Sequence, residues 1–343
     1  MQAAGRNKPQ HARAARPGLP IALLLAPLLA VGGCGTGGPV QDRRARAAAE
    51  RVCAPHAPPI PAPRQWQDEA RRDPAQARAA LGQGGFSASA IGAAEAIGAD
   101  GLLLRLVALG GGPASGARTA AALRVRLELT EAIMLGILDV ASTLAEIDCE
   151  GERGDQLRTR LQASLDRRLY RLNIATILTG AATAAATGAL AFVSTAAASN
   201  IAGIVGGNAE AGLGLALLFG ETSGELRTPR NMLREIWDRP AEARLMPASV
   251  WRYLNRANAA GATPLDRLIA EWCTQELLGE PGSEAERERG ALFLGPGGAY
   301  TPGDLDTREA MMELLQASVA MLNQDLRTLL AEVARWWAEG HRP

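Results

Sequence analysis

Residues 117–150 read ARTAAALRVRLELTEAIMLGILDVASTLAEIDCE, with apolar side chains at Leu123, Leu127, Ile133, Ile137, Leu138, Leu144 and Ile147. These positions fit a period near 3.6 residues and not the period of 2 that a half-buried strand requires, so the stretch predicts a long amphipathic helix. Gly151 and Gly154 weaken the pattern, which resumes after Gln156 as LRTRLQASLDRRLYRL. Upstream, Gly110-Gly111-Gly112-Pro113 marks a break, and LLLRLVAL at 102–109 is expected to be helical. Downstream, Thr228-Pro229, Thr263-Pro264 and Asp306-x-x-Glu309 each place a capping residue before a helical run, two of them with proline at the first helical position. Pro281–Pro302 is expected to be a loop-rich insertion. No alternating run is long enough for a strand, so the expected fold class is all-α.

Residues 172–207 read LNIATILTGAATAAATGALAFVSTAAASNIAGIVGG and carry no charge. A run of more than eighteen such residues is a transmembrane candidate by length. Its composition is dominated by alanine, glycine and threonine, with few leucines to favour lipid. Small residues follow helical spacing: Ala175, Thr179, Thr183 and Thr187 step by four, beside Gly180, Ala184 and Gly188. Beyond Ser199-Asn200, Gly203, Gly207 and Ala211 step by four again. Small ridges of this kind let two helices approach closely. The expectation is a hairpin over 172–219, packed through Thr179, Gly180, Thr183, Gly188, Gly203 and Gly207, at the centre of a multi-helix bundle. Insertion in a bilayer is the alternative, disfavoured by Glu210 in the second arm.

The first 18 residues carry Arg6, Lys8, Arg13 and Arg16 and no acid, and an apolar run from Leu19 to Val31 follows. That order is the build of an export signal. The continuation Val31-Gly32-Gly33-Cys34 resembles the lipobox of bacterial lipoproteins. The resemblance implies removal of residues 1–33, lipidation of Cys34 and, with Gly35 next, an outer-membrane address on the periplasmic side, with exposure at the cell surface left open. Residues 34–65, with APHAPPIPAP at 54–63, read as a tether whose proline run acts as a semi-rigid spacer. Residues 66–343 are then one helical domain.

The chain has 36 basic and 36 acidic residues, and residues 34–343 carry a net charge of −4. That balance argues against nucleic-acid binding. In an oxidising compartment two of Cys53, Cys149 and Cys273 can pair. Cys53 lies in the tether and Cys149 in the charged stretch AEIDCEGER, which favours Cys53–Cys149; a different pair or no bridge stays open. Cys273, beside Trp272 in LIAEWCTQELL, reads as a buried thiol.

Beyond the signal the only histidines are His56 and His341, at the two edges of the domain. A histidine base, a Ser-His-Asp triad or a histidine-ligated zinc site is not expected. No CxxC, phosphate-binding loop or HExxH occurs, and the glycines of 203–212 follow no strand. No cofactor and no metal are expected. Glu128, Glu131, Asp139 and Glu146 read as a solvated helix face. Trp336-Trp337 could anchor a partner, the other tryptophans being core. The functional expectation is a non-enzymatic, lipid-anchored scaffold or binding subunit of an envelope assembly, with a protein partner and with the membrane contacted through its lipid. One alternative is a membrane-inserting protein similar in layout to α-helical pore-forming toxins of the cytolysin A kind. Another is a carboxylate-dependent glycan enzyme, although Glu221-Thr222-Ser223 departs from the Glu-Ser context of lytic transglycosylases. The sequence leaves the oligomeric state open.

Overall fold

The computed structural model describes Cys53 and residues 74–110, 115–193, 222–258 and 260–339. Among these residues the chain forms nine helices and one two-stranded ribbon, an all-α multi-helix fold. In chain order the elements are α1 (Pro74–Gln83), α2 (Ala88–Ile97), α3 (Asp100–Gly110), α4 (Gly116–Val193), β1 (Gly224–Arg227), α5 (Met232–Asp238), α6 (Ala248–Leu254), α7 (Pro264–Thr274), α8 (Glu284–Phe293), β2 (Gly297–Tyr300) and α9 (Pro302–Ala338).

The predicted helix over 117–150 is part of α4, which runs through Gly151 and Gly154 without a break. Helix α9 lies antiparallel along it. Arg158 meets Asp306 near one end, Asp148 accepts from Gln316 further along, and Arg126 sits 4.8 Å over the Trp337 ring at the other end. At the crossing point α4 carries Gly136, where a Cβ would lie 2.6 Å from Ile97 Cγ2 and 3.4 Å from Leu326. The absent side chain lets α2 and α9 approach.

Helix α2, sequence ASAIGAAEAI, is the small-residue helix at the centre of the bundle. Ala90, Ala93, Ala94, Ala96, Ile91 and Ile97 are all buried, and α2 packs against α3, α4, α6 and α9. Ser87 caps its start by accepting from Ala90 N, and Gly98 ends it in the left-handed region at φ 72°, where glycine pays no Cβ penalty. Among the described residues the central position is held by α2; the second arm of the 172–219 hairpin, from residue 194, lies outside the described residues. The described first arm of that stretch is the far end of α4, with no buried side chain after Leu161 among the side chains described. Its alanines and threonines remove too little apolar surface from water to compete with the leucines of α3, α4 and α9 for the core.

Several boundaries differ from those the sequence suggested. Thr263 is the N-cap of α7 as expected, in a reciprocal capping box with Asp266, whose carboxyl is held at about 2 by the Thr263 backbone N–H and hydroxyl and by Arg239. Thr228 caps nothing; Asn231 starts α5 by accepting from Arg234 N. Helix α9 begins at Thr301-Pro302 and not at Asp306, because Thr301 and Asp304 form the box. The 281–302 segment holds α8 and β2. Strand β2 pairs antiparallel with β1, Gly224 opposite Tyr300 and Arg227 opposite Gly297. Four-residue strands are too short to leave an alternating signature.

Glycine substitutions separate the two ends of α4. Gly136→Ala forces a Cβ into Ile97 and is expected to lower the stability by about 1–3 kcal/mol. Gly188 has open space around it, so Gly188→Ala should be neutral or raise the stability by up to about 1 kcal/mol through helix propensity. Urea unfolding of both variants checks the pair. Equal effects would contradict the placement of these glycines.

Candidate functional site

Cys53 and Cys149 are joined by a disulfide with Cα atoms 5.6 Å apart, closing a separation of 96 residues. Cys149 lies on α4 beside a groove of about 320 Å³ between α4 and α9. Asp148, Glu152 and Asp155 of α4 and Glu309, Glu313 and Gln316 of α9 line it. Arg158 bridges its end, donating to Asp306 at 2.5 Å and to Asp155, with Glu309 at 3.0 Å. These acids, Asp306 first, raise the Arg158 guanidinium above its ordinary value.

Beneath the groove sits a buried ionic cluster. Glu150 accepts from Arg153 Nη1 at 2.8 Å and lies 3.5 Å from Arg308 Nη2, and all three side chains are almost wholly buried. Arg153 also donates to the Arg227 carbonyl, tying β1 to α4. Burial pulls Arg308 below the usual guanidinium range, and Glu150 opposes that. The sequence reading missed this cluster. Its only signal is the three-residue spacing of Glu150 and Arg153, which equally fits a solvated helix face.

A second cavity, about 550 Å³, opens beside α5. The carboxylate of Glu235 accepts from the backbone N–H groups of Arg244 and Leu245, and Asn231 donates to the Phe293 and Gly295 carbonyls. These polar groups therefore hold the chain's own loops.

Among the expected site residues, Cys34, Gly203 and Gly207 lie outside the described residues. Thr179, Gly180 and Thr183 fall on one half-buried stripe of α4, with Ala175, Thr176 and Thr187. The Thr176, Thr179 and Thr187 hydroxyls each donate to the carbonyl four residues back, at 3.0, 2.8 and 2.8 Å, so they turn methyl groups outward. Gly188 is exposed, contrary to the close packing expected of it. Tyr170, Ile174, Ile177 and Leu178 are also exposed on this part of α4.

Three further expectations are corrected. Cys273 is an exposed free thiol: Leu265, Leu268 and Trp272 form the buried stripe of α7, and Cys273 lies one residue, or 100°, away from it. Trp336 and Trp337 are both buried, Trp336 stacked with Phe86 at 6.5 Å. Glu146 is buried and accepts from Arg230 at 2.8 Å, and Asp139 accepts from Ser249 at 2.5 Å. Only Glu131 of the proposed acidic face is fully exposed.

The phase of α4 is the largest revision. Val125, Leu129, Ala132, Ile133, Val140 and Ile147 form the buried stripe. Leu123, Leu127, Met134, Leu135, Ile137 and Leu138 are exposed, Leu127 and Leu138 at 61%. Helix α4 is therefore apolar on two faces, and one of them meets solvent.

Among the described residues no cluster of three or more His, Cys, Asp or Glu is arranged to hold a metal, and no helix is long and apolar enough to cross a membrane. The chain matches no known protein family, no curated protein and no solved structure.

Proposed function

We propose that the protein is a non-enzymatic, lipid-anchored helical scaffold that presents α4 to another component of a bacterial envelope. The observation that carries this reading is the length of α4 with no buried side chain among the described residues. After Leu161, its last buried residue among those described, the helix continues for about 48 Å at 1.5 Å per residue. Exposed Tyr170, Ile174, Ile177 and Leu178 offer apolar and aromatic side chains on that length, the kind that anchors a protein interface. The lipobox resemblance at Cys34 supplies the anchor, and the Cys53–Cys149 bridge attaches the tether directly to α4.

A photo-crosslinking residue placed at Ile177 of the full chain, in intact envelopes, tests the reading. A discrete adduct with another protein is the expected result. No protein adduct, together with dye release from liposomes by the protein, would replace the scaffold with the membrane-inserting alternative. Cys34→Ala is expected to leave the protein unprocessed or soluble and to remove it from the outer-membrane fraction. Unchanged fractionation with normal cleavage of the signal would sink the anchor.

A further inference from the structure

The exposed row near the start of α4 has its own design, separate from the free end. It runs through Ala117, Ala120, Leu123, Leu127, Met134 and Leu138, all exposed. Exposed large apolar side chains gathered on one face of a helix mark an interaction site. Two asymmetries specify its occupant. Side-chain size is graded along the row, with small Ala117 and Ala120 at its start and large Met134 and Leu138 at its end. Charge is graded as well. Arg124 and Glu131 flank the row on one side, seven residues and so about two turns apart, both exposed and neither in an ion pair among the described residues.

We propose that this face binds a second copy of the same chain, with the two α4 helices antiparallel about a two-fold axis between residues 127 and 128. In that register Leu138 of one copy falls level with Ala117 of the other on the same flank, so a large side chain enters the space left by a small one. Arg124 falls level with Glu131 on the same flank, twice by symmetry, and Leu127 meets its own counterpart at the axis. A parallel in-register pair would set Leu138 beside Leu138 and leave Arg124 about two turns from Glu131 of the other copy, so neither size nor charge would be complementary. A two-fold contact is isologous, so one patch is both surfaces. The inference does not depend on what binds the free end of α4.

Cysteine crosslinking of the full chain in its native membrane tests it, in a Cys273→Ser background that keeps the structural disulfide. Leu127→Cys should give a disulfide-linked dimer, with a yield on the order of tenfold above that of Ala145→Cys, which lies beyond the overlap of the two helices. Adding Arg124→Glu should lower the Leu127→Cys yield by on the order of tenfold, as reversing two ion pairs by about 1.4 kcal/mol in total would. Adding Glu131→Arg to that variant should restore it. All three positions are exposed, so loss of folding is not the readout. A yield at 127 no higher than at 145, or one indifferent to Arg124→Glu, would overturn the proposal. A yield lost with Arg124→Glu and not restored by Glu131→Arg would overturn the antiparallel register.

Discussion

Glu150→Ala is expected to destabilise the protein by about 3–5 kcal/mol, because it strips the counter-charge from Arg308 while that guanidinium stays buried. Arg308 is 3% exposed, and the carboxylate of Glu150 is its charged partner at 3.5 Å. Arg153 would keep its bond to the Arg227 carbonyl but lose the 2.8 Å contact with Glu150. Replacing all three with apolar residues of similar size, Glu150→Leu with Arg153→Met and Arg308→Met, should cost far less than the single change, since no charge is then stranded. Urea unfolding midpoints of the single and triple variants give the comparison. A triple variant less stable than Glu150→Ala would mean that the cluster does more than balance its own charges.

Removing the disulfide should have an effect of similar size by another route. A cross-link spanning 96 residues restricts the unfolded chain, and the loop-entropy account assigns close to 4.7 kcal/mol to a loop of about 100 residues, with about 2–5 kcal/mol typical of measured removals. Cys149→Ser should therefore lower Tm by roughly 5–15 °C for a domain of this size. Cys273 is free and exposed, so the variants belong in a Cys273→Ser background, where Cys53 cannot re-pair. Cys53→Ser and Cys149→Ser should then be equivalent. Unequal losses would show that one sulfur position is strained or packed for another purpose.

The fold class was legible because helical periodicity persists over long segments. The 3.6-residue pattern in 117–150 and the Thr263-Pro264 start survive in α4 and α7. The phase of α4 was not legible. Apolar residues occupy both faces of the helix, and a single sequence cannot say which face meets the core when Leu123 and Leu129 are chemically alike. The lack of buried side chains in the described first arm of the apolar stretch has a related reason. Lack of charge drew attention to 172–207, whereas burial follows neighbouring leucines, and the ten residues of α2 have them on every side. The buried ionic cluster was hidden because its members come from α4 and α9, more than 150 residues apart. Burial alone distinguishes it from the surface pairs.

The disulfide also decides how the domain bears a mechanical load. A pull on the chain ahead of Cys53 passes through sulfur into the middle of α4 and not into Pro74, where α1 begins. Helices α1, α2 and α3 lie inside the covalently closed loop and are bypassed. Tension then acts on a helix braced by α9 from Arg126 to Arg158, which must shear many contacts at once. Without the bridge the same pull would peel α1 away from its end, one turn at a time. A domain held to a moving surface by its amino terminus would keep its core helices unloaded for as long as the cystine is intact.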